Sequence, residues 1–240
     1  MMKKWLSLAL AFSLFLPSVV FAAGTGDDPT FTIDQPTAEQ IQAAKWKEKL
    51  VLDYKNRKLN PSLMGLGEMK TLDVTVFEQE TNYWCGPATV KQVLHYINGT
   101  SESQSYYANE LGTTRDGTDF SLVDDVLNDH QDRTIYLYHS FDSDEYETWR
   151  VMMILPIDWG YPAVLDLKIT PQTLPNYTST VAGHILNTSG YDTRNEDNYR
   201  LRLTDPYDQG KRGATLGNKW YDMEKVWQAN QAHFRKAIIW

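Results

Sequence analysis

The sequence predicts an α+β domain, and three observations lead there. Apolar residues recur at helical spacing through the first two-thirds of the chain. From about residue 163 the pattern changes to short alternating runs of strand type. Helices first and strands later mark the α+β class. Cys85 is the single cysteine among 240 residues, so no internal disulfide is available and the fold must rest on its hydrophobic core. A chain of this size buries enough apolar surface to do so.

The N-terminus reads as a secretory signal over residues 1–22. Met1-Met2-Lys3-Lys4 is a short positive region, Trp5 to Leu16 is a nearly unbroken apolar run, and Pro17-Ser18 breaks it. Val20-Phe21-Ala22 then presents small residues where a signal peptidase reads, and cleavage is expected after Ala22. An uncleaved anchor is the alternative, but the run falls short of the roughly 20 apolar residues of a membrane span. The expectation is a soluble, monomeric, exported protein, extracellular or periplasmic where the host has an outer membrane, with no stable anchor after cleavage. Loss of Lys3 and Lys4 takes the formal charge from −8 to −10. That acidity argues against nucleic acid or an anionic surface as partner.

Residues 23–36 (AGTGDDPTFTIDQP) read as a linker. Thr37-x-x-Gln40 is a capping box, and Ala43, Trp46, Leu50 and Tyr54 follow at helical spacing, predicting a helix over 37–56. LNPSLMGLGEMK is a loop rich in turn formers. Residues 23–70 are thus an N-terminal extension and a candidate pro-segment that regulates the domain at 71–240. Within that domain a strand is predicted at 72–76. A helix follows Cys85, with Val90, Val93, Leu94 and Ile97 as its buried stripe and Asn98-Gly99 as its end. Further helices are expected at 103–111, 121–127 and 144–155, the last with Tyr146, Trp149 and Met153 on one side. Strands are expected at 134–138, 163–169, 184–191, 199–204 and 237–240.

The chemistry gathers around Cys85. Pro87 suits the first turn of a helix, which puts Cys85 at the helix N-terminus, where the dipole favours thiolate, the nucleophilic form. Gly86 keeps the backbone open to a substrate carbonyl. A thiol that merely packs in the core is the alternative, since free cysteines are commonly buried. A nucleophile requires a base and a group that orients it. His95 lies more than two turns along the same helix. His130 and His233 sit in polar surroundings and read as solvated. His139 ends a strand and stays open, while His184 stands at a strand start, held by regular structure. If 184–191 and 199–204 form a hairpin, Asp205 falls nearly opposite His184, where it can accept an Nδ1 hydrogen bond. Asp205 reads otherwise as a turn former before Pro206. Asn187, at an odd offset from His184, points to the other face. Gln79, six residues before Cys85, can join the Cys85 N–H in holding an oxyanion.

In order, Gln79, Cys85, His184 and Asp205 resemble the papain-fold cysteine peptidases. The segments QETNYWCGPATVKQVL, LGTTRDGTDFSLVDDVL, GYPAVL, GHILNTSGYD and LTDPY resemble the bacteriocin-leader peptidase-like family, the thirty-ninth of the cysteine peptidases, and among it the stand-alone secreted members. The resemblance covers about residues 70–240. It implies a papain-like fold with N-terminal helices packed on a C-terminal antiparallel sheet. It also implies Cys85 as nucleophile, His184 as general base and acid, Asp205 as orienter and Gln79 as oxyanion donor. The processing members are joined to a membrane transporter and cut leader peptides after a double glycine. This sequence has no transporter segment, so that substrate is not implied.

The expected function is hydrolysis of a peptide or protein substrate through a thioester acyl-enzyme, with no cofactor. Two alternatives use the same residues: acyl transfer, as in a transglutaminase or a peptidoglycan amidase, and a catalytically silent binding module on this fold. No His-Glu-x-x-His, cysteine metal pair or calcium loop appears, and Thr188-Ser189-Gly190 lacks the context of a serine nucleophile elbow.

Overall fold

The computed structural model describes residues 28–32, 35–57 and 67–240. The expected signal sequence lies outside the described residues, as does most of the 59–70 loop. Helices α1 (Ala38–Arg57), α2 (Cys85–Asn98), α3 (Gln104–Glu110), α4 (Val123–Asp129), α5 (Tyr146–Trp159) and α6 (Met223–Ala232) accompany seven strands. The strands are β1 (Met69–Thr71), β2 (Tyr138–Ser140), β3 (Val164–Ile169), β4 (Val181–Asp192), β5 (Arg200–Asp205), β6 (Gly217–Asp222) and β7 (Ala237–Ile239). They form one sheet in the order β2-β7-β3-β4-β5-β6, with β1 added to the far end of β4, and all pairs are antiparallel. The α+β class is thus borne out.

The sheet divides the core into two clusters. One face carries Leu165, Leu167, Leu186, Leu201 and Leu203 against α5 and α6, with Trp149, Met153 and Val226. The other carries Val164, Ile185 and Ile239 against α2, α3 and α4, with Val93, Leu94, Phe120 and Leu127. Two side chains sew α2 to β4: Thr89 Oγ1 donates to Ile185 O at 3.0 Å, and Asn187 Nδ2 donates to Gln92 Oε1 at 2.7 Å. Both pairs are buried, so each hydrogen bond is obligatory and fixes the helix in register with the strand.

Several expectations shift. The segment 72–76 does bury Leu72 and Val74 alternately, but the ladder lies just before it, at β1. Beyond Leu72 the backbone is served by side chains instead: Arg202 Nη1 donates to Leu72 O, Gln92 Nε2 to Phe77 O and Gln104 Nε2 to Glu78 O. Likewise the strand expected at 134–138 begins only at Tyr138. Gln131 and Asn128 hold Thr134 and Tyr136 in loop geometry, while Leu137 exchanges two hydrogen bonds with Trp240. Strand β6 was not anticipated; it is a half-exposed partner of β5, and its sequence GNKWYD has no apolar alternation.

The capping box closes as expected, with Thr37 N–H donating to Gln40 Oε1 at 2.8 Å and Gln40 N–H to Thr37 Oγ1 at 3.1 Å. The buried edge of α1 is rotated from the predicted one. Lys47, Val51 and Tyr54 are buried, whereas Trp46 is 53 % exposed and lies against Trp159 with ring centroids 5.3 Å apart. Residues 28–32 are bound to the body through a buried ionic cluster. Arg235 Nη2 donates to Asp119 Oδ1 at 3.0 Å and to Asp28 O at 2.8 Å, and Thr32 N–H and Oγ1 donate to Asp119 Oδ2. Asp119→Ala takes one of the two carboxylates beside the buried Arg235 guanidinium, leaving Asp166, and we expect it to cost about 3 kcal/mol in urea unfolding of the full chain.

Candidate active site

Cys85 opens α2, wholly buried, one residue after the N-cap Trp84, whose side chain provides no acceptor to the first turn. Gly86 has no freedom to be another residue. A Cβ there would lie 2.4 Å from Thr118 Oγ1, and Thr118 is held in place by Thr113 Oγ1 at 2.8 Å. The LGTTRDGTDF segment thus serves as a wall against the helix start, and only glycine lets the two backbones come so close.

His184 and Asp205 meet at the centre of the sheet. His184 Nε2 lies 2.8 Å from Asp205 Oδ1, with the residues 0 % and 1 % exposed. The hairpin expected from sequence is present, and its register pairs Asn187 with Thr204. Asp205 therefore reaches His184 along the diagonal rather than from directly opposite, a distance within range of long side chains on one face. The nitrogen differs from the expectation: Asp205 takes Nε2, not Nδ1, and Nδ1 is left for Cys85. The rings of Tyr207 and Tyr177, 5.8 and 6.3 Å away, hold the imidazole in this orientation.

Burial alone would discharge His184. The Asp205 carboxylate and then the Cys85 thiol outweigh it, and together they raise the ring's pKa from 6.5 to about 10. Asp205 also accepts from Tyr177 Oη at 2.5 Å and from the Tyr207 N–H at 2.9 Å.

Gln79 is 7 % exposed and is fixed by its backbone. Its N–H donates to Pro206 O at 2.8 Å, which ties it to the residue after Asp205. Gln104, the first residue of α3, braces both neighbours: Glu80 N–H donates to Gln104 Oε1, and Gln104 Nε2 donates to Glu78 O. The Gln79 side-chain Nε2 gives one hydrogen to Thr81 O at 2.7 Å and carries a second. Sequence reasoning missed Gln104, Thr118 and Tyr177: Gln104 and Tyr177 lie outside the quoted segments, Thr118 lies within one without standing out, and each matters through what it touches.

The other histidines go elsewhere. His95 packs on the Phe77 ring and His139 on Phe141, in β2 at the sheet's edge. His130 is not simply solvated but sits 2.5 Å from Glu110 Oε2. His233 is 1 % exposed, beside Asp166 at 3.5 Å, which corrects the solvated reading. Its neighbours, Asp166 on β3 and Arg235 in the bend before β7, form a buried polar cluster that draws it in. Asn187, engaged by Gln92, is no partner of His184.

The profile of the Peptidase_C39-like family matches residues 71–233, more than half of the chain. The chain belongs to that family. It is therefore a cysteine-type peptidase with an α+β, papain-like fold. Three solved structures are similar at a distance. A double glycine motif protease from an AMS/PCAT transporter, in complex with the leader peptide, is 15 % identical over 71 % of this chain and 91 % of that chain, with a TM-score of 0.46. Xylellain, a cysteine protease from Xylella fastidiosa, is 13 % identical over 71 % and 84 %, with a TM-score of 0.47. The peptidase domain of Streptococcus ComA, a bifunctional ABC transporter involved in quorum sensing, is 15 % identical over 70 % and 96 %, with a TM-score of 0.42. A comparison with curated proteins found no match.

Two outcomes follow for this C39-like peptidase. Gly86→Ala overpacks the Thr118 contact and is expected to destabilise by about 1–3 kcal/mol in thermal melting, with partial recovery when Thr118→Ala is added. The second concerns pH. The folded ring keeps its proton to about 10 where a free histidine loses it near 6.5, so its contribution to stability is complete below about 6.5 and is lost as pH rises towards 10. Lys47, lowered by burial to about 7 with Asp124 partly opposing, has the opposite sign between about 7 and 10.5. The His184 part is isolated by difference: wild type minus His184→Gln falls with pH across 6.5 to 10 in chemical denaturation.

Proposed function

We propose that the protein is an exported peptidase that hydrolyses peptide bonds with Cys85 as nucleophile, His184 as general base and acid, Asp205 as orienter and Gln79 as oxyanion donor. One observation carries the assignment: the single cysteine of a cysteine-type peptidase begins a helix beside a buried His184–Asp205 pair. No second thiol in the sequence competes for the role.

In this reading Cys85 passes its proton to His184 Nδ1, and Asp205 on Nε2 stabilises the imidazolium. The thiolate attacks the substrate carbonyl carbon. The resulting oxyanion is held by the Cys85 N–H and the second hydrogen of Gln79 Nε2. His184 then gives its proton to the leaving amine as the C–N bond breaks, leaving a thioester on Cys85. Water, deprotonated by His184, attacks the thioester; the free acid leaves and the thiol is restored.

Export is supported by the N-terminal pattern of charge, apolar run and small residues. Among the described residues no helix is long and apolar enough to cross a membrane. N-terminal sequencing of the protein recovered from the culture medium or periplasm, beginning at Ala23, is the expected result. A chain that still starts at Met1 and stays in the cytoplasm removes the export part.

Catalysis is tested with a peptide library read by mass spectrometry. Cys85→Ala abolishes cleavage and lowers the melting temperature by no more than roughly 2–4 °C. Gln79→Ala lowers kcat by about a hundredfold to a thousandfold. Undiminished hydrolysis by Cys85→Ala would falsify the assignment. Transfer of a labelled amine to a glutamine-rich protein, or release of peptide from peptidoglycan, in place of peptide hydrolysis would redirect the acyl group to another acceptor.

A further inference from the structure

Asp205 has a side-chain partner beyond the proposed triad. Tyr177, in the β3–β4 connection, is 1 % exposed, and its hydroxyl donates to Asp205 Oδ2 at 2.5 Å. The other oxygen, Oδ1, meets His184 Nε2 at 2.8 Å and accepts the Tyr207 N–H at 2.9 Å. Both carboxylate oxygens are therefore committed, and rotation about the terminal carbon would break three contacts together. Tyr177 is itself rigidly mounted. Its N–H donates to Leu174 O, Leu174 N–H donates to Thr170 O, and Leu174 is wholly buried.

We infer that Tyr177 is a positioning residue of this peptidase: its hydroxyl keeps the Asp205 carboxylate aimed at His184, and so sets how readily the Cys85–His184 pair reacts. The inference rests on the roles proposed above for Cys85, His184 and Asp205.

The physical argument concerns a buried anion. A carboxylate out of water holds its charge only as far as donors compensate it, and each donor to the charged form opposes protonation. Around Asp205 stand His184 on β4, Tyr207 on the β5–β6 loop and Tyr221 on β6, with Cys85 of α2 acting on His184 and Asp208 and Lys211 acting on Tyr207. Among the described contacts to the carboxylate, Tyr177 supplies the one to Oδ2. Burial first, and the Asp205 charge second, hold the Tyr177 proton far above its ordinary value, so the phenol is a donor at every working pH. Without it, Oδ2 loses its donor and the carboxylate is free to turn away from His184 Nε2. The ring is then held less well for taking the Cys85 proton and passing it to the leaving amine.

The test is the rate of Cys85 alkylation by iodoacetamide as a function of pH, alongside kcat and KM on a cleaved peptide. For Tyr177→Phe the alkylation slows, and kcat falls by about tenfold or more with KM within about twofold. Added to Asp205→Asn, the same substitution costs nothing further, because the hydroxyl then has no carboxylate to hold. If Tyr177→Phe does not fold, 3-fluorotyrosine at position 177 preserves the shape and the donor, and kcat is kept or rises. An unchanged kcat in Tyr177→Phe, or a loss of about tenfold with 3-fluorotyrosine, overturns the inference, as does an independent loss on top of Asp205→Asn. The wild-type profile separates the two levels. A wild-type thiol that iodoacetamide does not modify near neutral pH sinks the proposed roles themselves. A reactive wild-type thiol with a kcat indifferent to position 177 sinks only the part assigned to Tyr177.

Discussion

Everything at this site depends on burying one carboxylate beside one imidazole. Asp205 and His184 are sealed from water, where a lone charge of either sign costs several kcal/mol. The fold meets that cost with geometry: Tyr177, Tyr207 and His184 bring donors to both oxygens of Asp205. The compensation has a chemical consequence, since the same charge that must be balanced raises the proton affinity of the ring facing Cys85. Stability and reactivity draw on one interaction, and a buried pair of this kind is destabilised more by losing a partner than it is stabilised by having one.

Such a pair is useful only if the thiol is held against it, and that is the task of the seam between α2 and β4. Thr89 and Gln92 lock the helix to Ile185 and Asn187, within three residues of His184. At the helix start, Thr118 presses on Gly86 and leaves Cys85 one place to be. On the opposite side Gln104 and Pro206 clamp the backbone around Gln79. Each of these is a short polar link inside a dry interior, where a missed hydrogen bond costs the full desolvation of the group left behind. Their directionality is what a purely apolar interface between helix and sheet would lack.

The N-terminal extension is tied in by the same kind of chemistry. Residues 28–32 lie over Arg235 and Asp119, and α1 reaches Asp125 through Gln40, Thr148 through Lys55 and the Trp240 carbonyl through Lys47. These contacts run to the face made by α4, α5 and the last strand. Lys47 illustrates how far the body accommodates the helix: it is buried at 3 % exposure, where a predicted amphipathic stripe would have put Trp46. The long lysine stem covers apolar surface while its head finds the Trp240 carbonyl and ring.

By itself the sequence determined the α+β class, α2 and its buried stripe, the β4–β5 hairpin, and Gln79, Cys85, His184 and Asp205 as the set to watch. The elements among these are local: helical spacing, a proline in a first turn and a turn between two alternating runs are each written within about twenty residues. The four site residues follow from the elements that carry them and from the order they share with the family the sequence resembles. Tertiary structure alone decided which imidazole nitrogen meets the carboxylate, that Asp205 answers His184 on the diagonal, and that His233 is buried. It likewise recruited Tyr177, Gln104 and Thr118, and moved the strands expected at 72–76 and 134–138. The reason is common to all of them. Each is settled by which partner a polar group finds once the chain is folded, whether near in sequence, as for Gln131 and Asn128, or distant, as for Tyr177 and Gln104. Spacing along the chain does not encode that choice.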